Sequence, residues 1–167
     1  LISDIRFRDQ SLQKLAYYDP LTGLPNRTNF QRTLQERLTK LGGGYDSLAV
    51  ILFNIDTFHT FNDAFGHSIG DAVLMNVAAV IKEQAGPSAM TARVGGDEFA
   101  VILESARSGE DAGAVAARVL QQLSLPMNLR GTEIVVGASI GIAVSDGTAD
   151  PADIERDADI ALYDAKF

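Results

Sequence analysis

Cysteine is absent from this chain of 167 residues, and long apolar runs are absent as well. Without cysteine the protein has neither disulfide bonds nor thiolate metal ligands, and nothing suggests secretion. The longest uninterrupted apolar stretch, Leu48–Phe53, is far too short to span a bilayer. The opening residues show no signal-peptide pattern. We therefore expect a cytoplasmic location, either free or as the cytoplasmic part of a membrane-attached protein.

Basic residues are scarce relative to acidic ones. The 14 Lys and Arg residues and 22 Asp and Glu residues give a formal net charge of −8 at pH 7. An acidic surface repels phosphate backbones, so binding to long nucleic acids is disfavoured. A single nucleotide can still bind through a divalent cation that bridges carboxylates to phosphates. Apolar residues make up 46% of the chain, which is enough for the core of a single domain.

Hydrophobic periodicity predicts alternating helices and strands. Helical spacing occurs over 1–17 and 30–41, and Leu48–Phe53 is typical of a buried strand. A polar loop ending at Gly66 then leads into a helix over 73–81. Two short strands near 89–94 and 99–103 precede a helix near 115–123, an alternating strand over 136–144 and a last helix over 154–165. This order predicts an α+β domain with helices packed on a mixed or antiparallel sheet.

The segment from residue 93 to residue 99 is the most informative part of the sequence. Gly95 and Gly96 lie between two short strands, where a tight hairpin turn uses positive φ angles and leaves room for a phosphate near the backbone. Asp97 and Glu98 follow at once on opposite faces of a strand, so that one carboxylate can bind a cation while the other supports it. A solvated Gly-Gly hairpin with acidic flanks has the same local sequence.

A second polar cluster begins where the predicted buried strand ends, a place that commonly lines ligand sites in sheet proteins. Asn54 and Asp56 share one face of that strand. Asn62 can donate and accept hydrogen bonds, as the reading of a purine edge requires. His67 and Asp71 are four residues apart and lie on one helical face. A polar loop before an ordinary helix start is the alternative interpretation.

Together these segments resemble the GGDEF family, the diguanylate cyclases. Four motifs occur in the family's order, and the resemblance covers about residues 17–167: an opening motif at 19–27, a central block at 58–71, the signature at 95–99 and a C-terminal block at 157–166. The resemblance implies a ferredoxin-like fold of the nucleotide-cyclase palm type, with a central, mostly antiparallel sheet of about five strands flanked by helices. Residues 1–16 then form a connecting helix that resembles the end of a PAS-type sensor linker.

The resemblance also implies an activity. Family members condense two GTP molecules into cyclic di-GMP and release two pyrophosphates, with each ribose 3′-hydroxyl attacking the α-phosphate of the other GTP. Two protomers therefore meet head to head, each holding one GTP with Mg²⁺ or Mn²⁺. Members with similar opening and closing motifs often carry an EAL phosphodiesterase domain downstream. We expect that domain, and an upstream PAS-type sensor, in a longer protein.

At the metal site, the resemblance assigns roles to residues of both segments. Asp97 would bind the cation and serve as the base, Glu98 would support it, and Ile55 would offer its backbone carbonyl. Asn54 stands where the family has an aspartate that bridges the metals, and a neutral amide oxygen is a weaker ligand for Mg²⁺. His59 stands where the family has a lysine that stabilises charge on the phosphates.

Contacts to GTP would come from three of the motifs. Two polar residues of the central block would read the guanine edge, and a histidine there would shape the same pocket. The signature glycines and a lysine of the C-terminal block would meet the phosphates. The expected GTP-binding residues are Asn62, His67, Asp71, Gly95, Gly96 and Lys166.

Three hypotheses remain open at this stage. An active diguanylate cyclase is favoured by the complete signature and by the guanine-reading residues. A GTP-binding regulatory domain without catalysis is favoured by Asn54 and His59. A purely structural or dimerising module is disfavoured by Asn62, Asp71 and Asp97, which such a module would not need.

Overall fold

The apolar segment that begins at Leu48 forms an inner strand of a four-stranded sheet with helices on both faces. The structure is a computed structural model that describes residues 2–41, 47–105, 108–146 and 150–166. Its elements in chain order are α1 (Ile2–Tyr17), α2 (Arg27–Lys40), β1 (Leu48–Ile55), α3 (Phe58–Phe65), α4 (His67–Ala85), β2 (Met90–Arg93), β3 (Glu98–Glu104), α5 (Ser108–Leu123), β4 (Met127–Leu129), β5 (Thr132–Ile134), β6 (Ala138–Ser145) and α6 (Pro151–Lys166).

All neighbouring strands of the main sheet are antiparallel, in the order β2-β3-β1-β6. The chain passes from β1 through α3 and α4 to β2 and β3, and then through α5 to β6, which is the ferredoxin-like connectivity expected from the resemblance. In the register of β1, Asn54 lies between Glu98 of β3 and Ser139 of β6. This register places the ends of three strands side by side.

The residues of β1 alternate between two apolar cores, one on each face of the sheet. Ile51 and Phe53 belong to the core formed with α4 and α5, and Val50 and Leu52 belong to the core formed with α2 and α6. Because both faces are covered, all residues of β1 are buried and the strand lacks the alternation of a half-exposed strand. The lead-in helix α1 is different, since it contributes no buried residue.

Two segments differ from the sequence-based expectation. The predicted polar loop before Gly66 is the helix α3, along which Phe58, Phe61 and Phe65 contact one another at helical spacing. Only Gly66, with a φ of +90°, separates α3 from α4. The predicted strand over 136–144 begins only at Ala138.

The expected count of about five strands in the central sheet is wrong, because the described residues form four. The strands β4 and β5 form a separate two-stranded hairpin, joined by Arg130 and Gly131 with positive φ angles. Each has only three residues, which is too short for a periodic signal in the sequence. Within the ranges that the structure covers, no helix combines the length and the apolar character needed to cross a membrane.

Candidate functional site

The candidate site begins at the carboxyl end of β1, which extends two residues beyond the predicted strand end at Phe53. Asn54 therefore lies within the sheet and is only 8% exposed. Asp56 is the first residue after β1 and is exposed, and its Oδ1 accepts a hydrogen bond from Ser139 Oγ at 2.6 Å. Asp56 thus shares the Asn54 side of the strand, as predicted, but its carboxylate is engaged by β6.

The signature turn lies directly beside this strand end. The amide of Ile55 donates a hydrogen bond to the carbonyl oxygen of Asp97 at 3.0 Å, which joins the turn to β1. The amides of Val94 and Gly95 donate to the carbonyl oxygen of Glu98, at 3.0 and 3.3 Å. Because β3 begins only at Glu98, Asp97 belongs to the turn, and the predicted alternation of the two carboxylates across a strand does not apply.

The two signature glycines serve this turn through their lack of a side chain. Neither Gly95 nor Gly96 has a positive φ, so the predicted tight hairpin geometry is wrong. The turn covers residues 95–97, and this wider path needs no left-handed residue at either glycine. A Cβ on Gly95 would come within 3.1 Å of the Glu98 carboxylate, whereas Gly96 has open space where a phosphate can approach.

Arg93, at the end of β2, is a site residue to which sequence reasoning gave no role. Its Nη2 donates a hydrogen bond to the carbonyl oxygen of Gly96 at 2.8 Å. Its Nη1 donates to both carboxylate oxygens of Asp19, at 3.0 and 3.2 Å. Asp19 and Arg93 are 74 positions apart, so the only signal in the sequence was one charged residue in each of two separate motifs.

The carboxylate of Asp19 is itself held in a fixed position. Thr22 donates to Asp19 Oδ2 from its amide at 2.8 Å and from its hydroxyl at 2.7 Å. Burial alone raises the pKa of Asp19, but the hydrogen bonds from Thr22 and the nearby Arg93 guanidinium outweigh burial and hold this pKa below its ordinary value. Asp19 is therefore an ionised anchor for Arg93 at neutral pH.

The predicted guanine-reading residues lie on α3 and α4, which follow directly after β1. Asn62 is half-buried on α3, whereas His67 and Asp71 are exposed and lie one turn apart on α4. Within the described residues, Oδ1 of Asn62 is buried and has no hydrogen-bond partner. The backbone of Gly70 packs against this amide so closely that a Cβ at residue 70 would overlap it. Asn62 therefore lies next to the residue that precedes Asp71.

His59, which stands in place of a phosphate-stabilising lysine, and Lys166, the predicted phosphate contact, lie on different helices. The side chain of His59 on α3 is 94% exposed, and its Nε2 lies 3.6 Å from Asp63 Oδ2. Such an exposed pair contributes little to stability and leaves the imidazole accessible to a ligand. Lys166 ends α6, and its side chain lies outside the described residues.

The donors at the sheet end suit a divalent cation that is bound together with phosphates. In the described part of the chain, no group of three His, Asp or Glu side chains is close enough to hold a metal ion unaided. The candidate donors are instead the carboxylates of Asp97 and Glu98, the amide oxygen of Asn54 and the Ile55 carbonyl. Mg²⁺ prefers oxygen ligands and is commonly held by one or two carboxylates plus substrate phosphates, which matches this set.

This combination of fold and signature turn defines a nucleotide-cyclase type of domain, and comparison with known proteins identifies the family. The family described as "Diguanylate cyclase, GGDEF domain" matches residues 16–167. The chain belongs to the GGDEF family. Domains of this family act in cyclic di-GMP signalling and generally depend on a divalent metal.

Similar proteins include two from Pseudomonas aeruginosa. The chain is 40% identical over 165 residues to the diguanylate cyclase TpbB, covering 96% of this chain and 38% of TpbB. It is 34% identical over 167 residues to the bifunctional diguanylate cyclase/cyclic di-GMP phosphodiesterase MucR, covering 99% of this chain and 24% of MucR. The chain thus spans less than half the length of these relatives.

A solved structure shares the same fold. It contains the coiled coil and GGDEF domain of DgcB from Caulobacter crescentus in complex with c-di-GMP, and it matches with a TM-score of 0.88 at 29% identity. The match covers 99% of this chain and 88% of the DgcB chain. An α+β domain with an antiparallel sheet flanked by helices is therefore the fold of this chain.

Proposed function

We propose that this chain is a diguanylate cyclase domain, which condenses two GTP molecules into cyclic di-GMP and releases pyrophosphate as a module of a larger bacterial signalling protein. The observation that carries the proposal is the junction between β1 and the signature turn. The Ile55–Asp97 hydrogen bond and the pairing of Asn54 with Glu98 bring two acidic residues to the end of β1, from which the chain continues into α3 and then α4. Such a junction suits a nucleotide bound through a metal.

In this proposal the metal donors also prepare the attacking group. Asp97 would hold Mg²⁺ or Mn²⁺ and take the proton from the 3′-hydroxyl, with Glu98 supporting it and with Ile55 and Asn54 adding neutral oxygens. The cation supplies charge stabilisation at the phosphates when it is bound. The open backbone at Gly96 leaves room for the triphosphate.

Guanine recognition would rely on the α3–α4 pair. The buried Oδ1 of Asn62 lacks a partner among the described residues, and a guanine N–H would satisfy this acceptor. The two oxygens of the Asp71 carboxylate can accept hydrogen bonds from further N–H groups of guanine, and His67 would border the same pocket. Lys166 would neutralise the phosphates from α6. This pattern favours guanine over adenine, whose Watson–Crick edge has a different order of donors and acceptors.

Completing the reaction requires a second protomer. Each 3′-hydroxyl attacks the α-phosphate of the other GTP, so one domain with one nucleotide cannot close the ring. We therefore propose a head-to-head dimer during catalysis. The relatives are longer, and the name of MucR combines cyclase and phosphodiesterase activities. An upstream PAS-type sensor and a downstream EAL domain are accordingly proposed neighbours in this protein.

The direct test is incubation with GTP and either Mg²⁺ or Mn²⁺, followed by chromatography for cyclic di-GMP. We expect product from GTP and none from ATP. The variants Asn62→Ala and Asp71→Ala should weaken GTP binding by about 1–3 kcal/mol, the cost of leaving a buried polar partner unpaired. Equal affinities of the wild type for GTP and ATP in calorimetry would contradict the proposed guanine pocket.

A second candidate function is a regulatory domain that binds GTP without turning it over. The specific observation in its favour is Asn54, a neutral amide at a buried position between two strands where the family has a carboxylate. The exposed His59 replaces a second charged group. Specific GTP binding without cyclic di-GMP at either metal would select this function over the first.

A further inference from the structure

We propose that Arg93 is a positioning residue, which fixes the orientation of Asp97 by holding the Gly96 carbonyl and is itself held by Asp19 at the end of the lead-in helix. This inference deepens the proposed function and rests on it in one respect, namely the role of Asp97 at the metal. The contact between Arg93 and the turn is independent of that role.

The argument starts from the two peptide groups on either side of the Asp97 Cα. The carbonyl of the preceding peptide, at Gly96, accepts a hydrogen bond from Arg93 Nη2 at 2.8 Å. The carbonyl of the following peptide, at Asp97 itself, accepts from the Ile55 amide at 3.0 Å. When both peptide planes are fixed, the two backbone dihedral angles of Asp97 are fixed as well, and so is the direction of the Cα–Cβ bond from which its carboxylate extends.

Only one of these two restraints is made by a side chain. The Ile55 amide is part of the backbone and holds the turn against β1 with any residue other than proline at position 55. Arg93 therefore supplies the restraint that depends on sequence. The hydrogen bond from Arg93 matters more because residues 95 and 96 are glycines. Glycine has the widest range of backbone conformations, so the turn depends on such contacts to keep one conformation.

Arg93 is in turn oriented from outside the sheet. Both oxygens of Asp19 accept hydrogen bonds from Nη1, and the backbone amide of Arg93 donates to the Pro25 carbonyl at 2.9 Å. In the part of the chain that the structure describes, Nε of Arg93 is buried without an acceptor. An arginine placed for stability alone would use that donor, so this arrangement favours the Gly96 carbonyl over complete satisfaction of the guanidinium.

The anchor also connects the turn to the lead-in helix. Asp19 lies two residues after the end of α1. The same junction is tied to α2, because Asn26 Nδ2 donates to the Ala16 carbonyl at 2.9 Å and Asn29 Nδ2 donates to the Tyr17 carbonyl at 3.1 Å. Asp19 and Arg93 therefore connect the end of α1 to the signature turn through hydrogen bonds.

The test compares Arg93→Met with a matched control, Arg37→Met, in the complete chain. Arg37 pairs with Glu104 at 3.1 Å at the opposite end of β3, and both ion pairs are partly buried. Amide hydrogen exchange reports the turn directly, through the hydrogen-bonded amides of Val94, Gly95 and Ile55. We expect these amides to exchange about tenfold faster in Arg93→Met and unchanged in Arg37→Met.

Arg93→Lys and Asp19→Asn keep the test decisive if Arg93→Met does not fold. Both should accelerate exchange at the same three amides by a smaller factor, since lysine keeps the charge without the fork of donors and asparagine keeps the shape without the charge. Equal exchange rates in these variants and in Arg37→Met would overturn the proposal and leave Arg93 as a structural ion pair.

A second readout separates this inference from the proposed function. In Arg93→Met, half-maximal GTP binding should require about fivefold more Mn²⁺, with an unchanged requirement in Arg37→Met. If the wild type does not bind GTP, the proposed function fails while hydrogen exchange still decides the role of Arg93. If the wild type binds GTP and the two arginine variants show the same Mn²⁺ dependence, the positioning role is wrong.

Discussion

At the scale of single residues, the proposed cyclase and the proposed regulatory domain differ most at Asn54. Asparagine has nearly the shape of aspartate, so the strand end can keep its packing and its register with Glu98 and Ser139. What it lacks is a negative charge. A site with fewer carboxylates holds divalent cations more weakly, because each charged oxygen that is lost leaves more of the metal's charge to the nucleotide.

The first prediction follows from that charge. Asn54→Asp should raise cyclase turnover, or create it where the wild type has none, by about tenfold at limiting Mg²⁺. The effect should shrink in saturating Mn²⁺, where concentration offsets weak ligation. The measurement is the rate of cyclic di-GMP formation across a Mg²⁺ titration. Asn128→Asp on the exposed side of β4 makes the same chemical change elsewhere and should have no effect.

Unchanged turnover and unchanged metal affinity in Asn54→Asp at limiting Mg²⁺ would show that position 54 is not a metal ligand. The proposed donor set would then reduce to the signature carboxylates and backbone carbonyls. A rise in metal affinity without product would instead support the regulatory function.

A second prediction concerns Asp19 and pH. Its folded-state pKa is depressed from the ordinary value of 3.8, so ionised Asp19 stabilises the fold above that value. This contribution is lost as the pH falls from 3.8 through the folded-state pKa, because the unfolded chain takes up the proton first. Asp19→Asn should therefore lower the melting temperature near neutral pH and reduce its decline towards acid. A difference in melting temperature between the two proteins that stays constant from neutral to acid pH would contradict this prediction.

At the scale of elements, local patterns in the sequence predict those parts whose packing is local. Phe30, Leu34 and Leu38 recur at helical spacing, and all three are buried on α2. The end of β1 was predicted two residues too early, because Asn54 is polar and nothing local shows that it lies between two other strands. The pairing of Asp19 with Arg93 could not be predicted either, because the two residues are 74 positions apart and no local pattern links them.

The helix α3 was missed through a conflict between two local signals. Asn62, Asp63 and Gly66 are typical of a loop, whereas the spacing of the three phenylalanines on α3 is helical. Tertiary packing decides between them, since Phe58 is buried in the core and Phe61 packs against it. The motif positions of the candidate site were predicted from the resemblance, but their three-dimensional arrangement depended on this helix and on the register of β1.

The third prediction belongs to the contact between α3 and α4. Gly70→Ala places a methyl group where the Asn62 amide lies, so Asn62 must rotate away. GTP affinity should fall about tenfold, roughly 1.4 kcal/mol, as expected for the loss of a hydrogen bond to a buried partner. The free energy of unfolding should change little. Alanine gains about 0.5–1 kcal/mol over glycine inside a helix, and this gain offsets the cost of rotating the Asn62 side chain.

Calorimetry and denaturant unfolding measure these two quantities, and a double mutant checks the cause. In an Asn62→Ala background, Gly70→Ala should have almost no further effect on GTP binding, because the side chain that it displaces is already absent. An additive loss in the double mutant would show that residue 70 affects the nucleotide by another route.

At the scale of the whole molecule, the four-stranded sheet positions both the helices and the candidate site. Helices cover both faces, so that the site lies at one end of the strands, where β1, β3 and β6 terminate next to one another. The net charge of −8 repels a triphosphate from the domain as a whole unless cations reduce that charge. In the proposed function, metal dependence of nucleotide binding would thus come from the charge of the entire domain as well as from the donor atoms.

The last prediction concerns the close packing of α6 against β6. Gly141 lies in β6 where α6 crosses it, and a Cβ at residue 141 would overlap backbone atoms of Ala158 and Leu162. Backbone cannot rotate out of the way as a side chain can. Gly141→Ala should therefore push α6 off the sheet and destabilise the fold by about 1–3 kcal/mol or more, the usual cost of overpacking.

Denaturant unfolding measures this loss of stability in Gly141→Ala, with Gly113→Ala as the control. Gly113 is exposed within α5 with open space around it, so alanine there should stabilise by about 0.5–1 kcal/mol. Because α6 carries Lys166 at its end, the Gly141→Ala protein that remains folded should also bind GTP more weakly than the control. Equal stabilities of the two variants would mean that α6 tolerates displacement and does not fix its end relative to β6.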